Sequence, residues 1–230
     1  MPKRPSSLHV AVLLAVALAP LLWVLHLTSP GRLADLTVED GVIEYLQAAC
    51  YLVAAVAFAY VAIRCGRRSP WAWLLALGTF LVAGEEISWG QRIFGISTPE
   101  SFESSNVQGE LNLHNLEGVH GSIRALGMIV IVGLFIAIPV AVRVVPALRR
   151  VLARVRIPIV PLASVPLALV AMAFMVLPRV LDEVVFQLDE VGELFLGLAV
   201  VAYGVLHARA ARNAAAWHPF APGPRPAEAV

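Results

Sequence analysis

Six runs of about twenty mainly apolar residues recur along this chain, and they leave little choice of fold. Backbone placed in hydrocarbon must satisfy its own N–H and C=O groups, and a helix does so within a single segment. The runs cover Leu8 to Leu27, Val42 to Ile63, Pro70 into Glu85-Glu86, Ile123 to Val145, Ile157 to Leu177 and Val191 to His207. Only 14% of the 230 residues are charged and 59% are hydrophobic, whereas a soluble domain carries roughly 25% charged residues. A mean hydropathy of +0.79 agrees. The expected fold is therefore all-α: a polytopic transmembrane helix bundle of about six spans, forming one domain over residues 1–220, followed by a disordered proline-rich tail at 221–230.

The first run resembles a signal peptide in position, but its small-residue site, Ala17-Leu18-Ala19, is followed by Pro20. Its apolar stretch also exceeds the usual signal core, so a retained anchor is expected. Pro158, Pro161 and Pro166 crowd the start of the fifth run, where the first turn tolerates proline and later positions bend.

Basic residues alternate between connections. Lys3 and Arg4; Arg64, Arg67 and Arg68; Arg143, Arg149, Arg150, Arg154 and Arg156; and Arg209 and Arg212 all fall on one side. The positive-inside rule makes that side the cytoplasm and puts both termini there. The opposite connections carry Asp35, Glu39 and Asp40, then the segment from Glu85 to Glu117, then Asp182, Glu183, Asp189 and Glu190. The formal net charge of +1 supplies no concentrated basic surface, so nucleic acid is not an expected partner. Membrane lipid is. Cys50 and Cys65 lie fifteen positions apart on one expected helix, a rise of roughly 22 Å, which is too far for a disulfide. Free thiols are expected.

Chemistry gathers where the third run ends, at Gly84-Glu85-Glu86-Ile87-Ser88-Trp89-Gly90-Gln91-Arg92, answered by Asn112-Leu113-His114-Asn115. Ionisable groups at membrane depth are costly and commonly functional. On a helix continuing from the third run, Glu85, Ser88 and Arg92 would share one face with Trp89 beside Glu85. Glu86 would point about 100° away. One carboxylate could then pair with Arg92 while the other meets a neighbouring helix; a plain surface ion pair is the simpler alternative.

Ser97-Thr98-Pro99-Glu100 reads as the start of a short extracytoplasmic helix from Pro99 to about Ser104, with a hydroxyl cap and proline in the first turn. Phe94, Ile96 and Phe102 are expected to face lipid. The following segment, through Asn112 and His114, is suited to a re-entrant loop. His114 and His120 are six apart, which is not a zinc-motif spacing. Glu44, Gln47 and Tyr51 share one face of the second run. Before the sixth, Asp182, Glu183, Gln187, Asp189, Glu190 and Glu193 form a polar surface opposite Leu181, Val184, Val185, Leu188 and Val191. That surface is either an interfacial helix or the end of a spanning helix lining a polar pocket.

The string GEEISWGQRIFG, with Thr98-Pro99-Glu100 and NVQGELNLHN following, resembles an uncharacterised family of bacterial multi-pass membrane proteins. The resemblance covers about Gly84 to Asn115. It implies a bacterial inner-membrane setting and no activity, while the arginine alternation puts the motif loop on the periplasmic or extracellular side. Alkaline-ceramidase-like hydrolases are a poor match, because their late histidine pair is reduced here to His207.

Three functions remain open. In the first, a membrane-embedded hydrolase or transferase acts on a lipid or lipid-linked substrate at the outer leaflet. Glu85, Glu86, His114, Asp182 and Glu183 are its candidate catalytic groups, and Arg92, Trp89, Gln91, Asn112 and Glu44 its candidate substrate contacts. A divalent metal on Glu86, His114 and His120 would activate water. The second is a scaffold docking through the outer loop. The third is a cation- or proton-coupled transporter, against which stands the lack of ionisable groups in the inner halves of the runs.

Overall fold

The computed structural model describes residues 7–38, 41–65, 69–106, 109–113, 116, 118, 120–155, 157–180 and 186–212. Within them every regular element is helical, and Asn106 and Leu116 form an isolated antiparallel bridge. The helices are α1 (Ser7–Thr28), α2 (Pro30–Leu36), α3 (Val42–Cys65), α4 (Pro70–Glu86), α5 (Gln91–Phe94), α6 (Glu100–Glu103), α7 (His120–Val130), α8 (Ile138–Val144), α9 (Pro146–Arg154), α10 (Val165–Val180) and α11 (Phe186–Arg212). Five stretches are long and apolar enough to cross a membrane: His9–Thr28, Val42–Cys65, Ala125–Val144, Leu162–Val180 and Gln187–Arg212. The chain is a membrane-embedded helical protein. The third expected run appears as α4, which at 17 residues is shorter than these five.

Local sequence explains the departures from ideal helix. Residues Ile131–Ala137 between α7 and α8 are π-helical. Pro139 follows two positions on; it has no N–H for the carbonyl of Phe135, and its ring crowds that carbonyl, so the ladder changes register just upstream. Ile157 to Pro161 is not helical, and after a 3₁₀ turn at Leu162–Ser164 α10 begins only at Val165. The expectation of helix from Ile157 is corrected accordingly, because Pro158 and Pro161 deny the backbone donors a helix would use. In the other direction α11 begins at Phe186, so Gln187, Asp189, Glu190 and Glu193 belong to the spanning helix itself.

Packing runs through α11. It lies along α3 on one side and α10 on the other, while α4 packs on the far side of α3 and α1 on α10. α3 and α11 are parallel. Gly197 faces Cys50 and Gly204 faces Ala57, where an added Cβ would stand 3.1 and 3.2 Å from the Cβ atoms opposite. Two glycines seven residues apart thus form a smooth strip against Cys50, Ala54 and Ala57, the close approach that drives helix association where lipid supplies no hydrophobic contrast. Gly192 does the same toward α10: a Cβ there would lie 2.5 Å from Met175 Cγ and 3.1 Å from the Ala171 carbonyl. Aromatic rings fill the rest, with Tyr203 against Phe58 (4.9 Å) and Phe135 (6.0 Å) and Phe174 stacked on Phe195 (5.7 Å). The buried Tyr203 hydroxyl donates to the Pro158 carbonyl at 2.9 Å, a backbone acceptor left open by the non-helical segment. Leu13, Leu14, Leu21, Ile63, Leu74 and Ile129 are exposed on the outside of the helices, as hydrocarbon contact requires.

This arrangement brings acidic helix ends together. Glu44 near the start of α3, Glu86 at the end of α4 and Asp189, Glu190 and Glu193 in the first turns of α11 occupy one end of the molecule. Arg64, Arg209 and Arg212 lie in the last turns of α3 and α11 at the other.

Candidate functional site

The helical continuation expected past Glu86 does not form. Ser88, Trp89 and Gly90 have φ of 44°, 56° and 75°, three consecutive left-handed residues, two of which carry side chains that disfavour this region. The chain turns sharply and only then resumes as α5. Arg92 therefore does not share a helix face with Glu85, and the expected pairing of Arg92 with a carboxylate of the Glu85-Glu86 pair is corrected: its partner is Glu110.

Glu110 is the hub of a buried polar network and is only 4% exposed. Arg92 donates to its Oε1 from Nε at 2.8 Å and from Nη2 at 2.5 Å. Its Oε2 accepts from the Ser88 hydroxyl at 2.5 Å and from Asn112 Nδ2 at 3.3 Å. Asn112 also donates to Ser88 Oγ at 3.0 Å and is held by Asn106, whose Nδ2 donates to the Asn112 carbonyl and Oδ1 at 2.9 and 2.8 Å. Gln91 accepts from the Leu111 N–H at 2.7 Å and donates to the Thr98 hydroxyl. That hydroxyl was expected to cap the short helix; the N-cap of α6 is instead Pro99, without a side-chain bond. Glu85 completes the set, accepting from Trp89 Nε1 at 2.8 Å and from the Leu113 N–H at 2.6 Å. The indole lies over Gly84, where a Cβ would meet the ring at 2.8 Å.

The physical sense of this network is accounting. A non-helical loop near hydrocarbon must find partners for its backbone and buried polar atoms, and side chains from 85 to 92 provide them for residues 110 to 113. Of the expected substrate contacts, Gln91, Asn112 and Trp89 all hold this loop, and Arg92, half exposed at 51%, has its head on Glu110. Phe94 and Ile96 are exposed, as expected for lipid-facing side chains.

Glu86 behaves differently. It is partly buried at the end of α4, the helix that packs on α3, and the charged groups acting on it among the described residues are Glu193, Glu190, Glu44 and Glu85, all acidic. Tyr51, 6% exposed, lies near enough to feel the charges of both Glu86 and Glu193. Gln47 is fully buried; its amide nitrogen donates to the Glu190 carbonyl at 2.7 Å and to Glu190 Oε2 at 3.3 Å, while its Oε1 has no hydrogen-bond partner among the described residues. The groups acting around Glu86 thus come from three helices: α3 with Glu44 and Tyr51, α4 with Glu86 itself, and α11 with Glu190 and Glu193.

Asp189 does not join them. It is 5% exposed and takes Arg179 of α10 in a two-pronged ion pair, with Nη1–Oδ1 at 2.8 Å and Nη2–Oδ2 at 2.7 Å, while Arg179 also donates to the Met175 carbonyl. Asp182, Glu183 and His114 lie outside the described residues. His120 opens α7, with its side chain likewise outside them. Among the described residues no group of three or more His, Cys, Asp or Glu side chains could hold a metal ion, and Cys50 and Cys65 are free.

Sequence reasoning missed Glu110 as a site residue although the residue stands inside the quoted string. Its one signal was position: it is the sole carboxylate between Glu103 and Glu117 and follows Gly109, whose φ is 69°. Arg179 left a weaker trace, an arginine on the acidic side of the molecule. Scans of this chain against protein-family models, characterised proteins and solved structures found no match.

Proposed function

We propose that this protein is a six-span bacterial inner-membrane enzyme with both termini in the cytoplasm and its Glu86 pocket facing the outer leaflet, acting as a hydrolase or transferase on a lipid or lipid-linked substrate. α4 serves as the third span: 17 residues rise roughly 25 Å, near the lower limit for crossing hydrocarbon. The loop from Asn106 to Asn112 is the re-entrant element in this reading, supported by the burial of both asparagines.

One observation carries the enzymatic reading. Glu85 and Glu110 are committed to holding the loop, whereas Glu86 faces only acidic charges among the described residues, on three converging helices. Carboxylates crowded away from water share protons, and a carboxyl placed to take up and give up a proton is what general acid–base catalysis uses. Glu86 is the acid–base group and Tyr51 a neighbouring hydrogen-bond donor.

The test compares lipid inventories. Cells producing the wild-type chain and cells producing Glu86→Gln at equal membrane levels are extracted and analysed by mass spectrometry. A lipid or lipid-linked species that changes with the wild type and not with the variant is expected. Identical inventories for wild type, variant and empty cells would remove the enzymatic reading and favour the docking scaffold, for which exposed Ile93, Phe94, Ile96 and Leu113 offer a surface.

A further inference from the structure

We propose that α9 is an interfacial helix that docks on anionic phospholipid, with Arg149, Arg150 and Arg154 holding headgroup phosphates while Val151 and Val155 enter the edge of the hydrocarbon. The proposal is independent of the Glu86 reading and takes from the proposed topology only the leaflet, the cytoplasmic one.

It starts from charge that the chain does not answer. The ends of α3 and α11 pack onto the start of α4 through Val61, Ala62, Ala72 and Ala211, and there the Trp71 indole donates to the Val155 carbonyl at 2.8 Å. α9 is thereby fastened to the arginine-bearing end of the molecule. No Asp or Glu occurs between Glu44 and Glu85, between Glu117 and Asp182 or between Glu193 and Glu228, the stretches that supply this end. At the acidic end Arg92 and Arg179 each sit on a carboxylate. Among the described residues Arg149, Arg150 and Arg154 have no such partner. Neutralising them calls for an anion from outside the helices.

The form of α9 selects the anion. The backbone leaves the helical region at Val145, with φ of −120° and ψ of 89°, and restarts with proline in the first turn, so α9 is set off from the spanning helix before it. Leu148, Val151, Leu152 and Val155, three and four apart, line one side, and the three arginines line the other. The protein uses only part of that apolar side: Leu152 is 8% exposed, whereas Val151 is 52% and Val155 49% exposed. A dissolved anion would satisfy the arginines and leave both valines in water. A phospholipid satisfies both, with its phosphate on the paired N–H donors of a guanidinium and its acyl chain on the valines. Because a zwitterionic headgroup brings its own cation to the phosphate, unanswered arginines favour an anionic one. Trp71 marks the level, since indoles settle at the boundary between headgroup and hydrocarbon.

The full-length protein in detergent is mixed with equal amounts of phosphatidylglycerol and phosphatidylcholine of the same acyl chains, and bound lipid is counted by native mass spectrometry. Wild type should retain the anionic lipid at least about fivefold over the zwitterionic one, the discrimination expected from a single arginine at a membrane surface. Arg149→Gln with Arg150→Gln and Arg154→Gln should bring the ratio close to one. The same change at Arg64, Arg209 and Arg212 removes equal charge from the same end and should leave most of the preference. Equal loss in the two triple variants would overturn the assignment to α9, as would equal retention of the two lipids by wild type.

A second measurement leaves the arginines of α9 in place. A nitroxide is attached at Val151→Cys, in a chain whose Cys50 and Cys65 are replaced by alanine, and the protein is set in nanodiscs of phosphatidylglycerol. Dissolved oxygen should reach the label and a water-soluble nickel chelate should not. A label open to the chelate would overturn the docking on lipid and hand the arginine surface to an acidic protein partner.

Discussion

The Arg92 guanidinium places two nitrogens on one oxygen of the Glu110 carboxylate, at 2.8 and 2.5 Å, and thereby ties the turn after α4 to a loop eighteen residues further on. Glu110 is buried and Arg92 half exposed, so the two partners are not equivalent. Removing the arginine leaves a buried charge with its Oε1 unserved.

Arg92→Leu should therefore lower stability by about 2 kcal/mol, in the range for an orphaned buried acceptor. Glu110→Gln should cost less, because an amide still accepts from Ser88 or Asn112. The thermal midpoint of the detergent-purified protein checks both. An Arg92→Leu midpoint equal to wild type would mean that the loop holds without the pair.

The left-handed turn predicts a contrast between two glycines. Gly90 has φ of 75° and an added Cβ would stand 2.9 Å from the Phe94 ring; Gly95 has φ of 63° and open space around it. Both alanine variants pay the left-handed penalty of about 1–2 kcal/mol, and Gly90→Ala pays the collision as well. Its midpoint should fall further than that of Gly95→Ala. Equal losses would show that Phe94 moves aside freely.

Helix contact predicts a sharper contrast. At Gly192 a methyl group meets Met175 Cγ at 2.5 Å and the Ala171 carbonyl at 3.1 Å, whereas at Gly78 it meets nothing within 4 Å. Gly192→Ala should destabilise by about 1–3 kcal/mol through forced separation of α10 and α11. Gly78→Ala should be neutral or slightly stabilising, since alanine is the better helix former. Comparable effects at the two positions would contradict the close packing.

Arg179 and Asp189 close the α10–α11 hairpin. Asp189→Leu strands a partly buried guanidinium and should cost about 3 kcal/mol, while the double change Arg179→Leu with Asp189→Leu should recover much of it, because an apolar pair avoids the desolvation of both charges. The cycle of three thermal midpoints measures this. Strict additivity would mean that the pair contributes no coupling.

Orientation can be read by labelling. Ser104 and Arg150 are exposed, whereas Ser69, on the connection before α4, is buried, so single cysteines belong at the first two positions, in a chain whose Cys50 and Cys65 are replaced by alanine. An impermeant thiol reagent added to intact cells should modify the cysteine at 104 and spare that at 150. The opposite pattern would move Glu86 and its acidic neighbours to the cytoplasmic face.

The amino-acid sequence by itself determined the class of molecule, because hydrocarbon-length apolar runs admit few folds, and most runs reappear within a few residues of where the pattern put them, as Val42 to Ile63 does in Val42–Cys65. It also marked Glu44, Gln47 and Tyr51 as one face, since a fixed helical period makes faces legible. Tertiary structure decided everything that crossed a helix break. The face shared by Glu85 and Arg92 vanished because Ser88, Trp89 and Gly90 leave the right-handed region, and once the period is lost, spacing carries no direction. Arg92 then found Glu110, Arg179 found Asp189, and Gln47 found Glu190 across 143 residues, pairings set by which helices pack together. The glycines that allow that packing were visible as letters, but only the partners opposite them gave those letters a meaning.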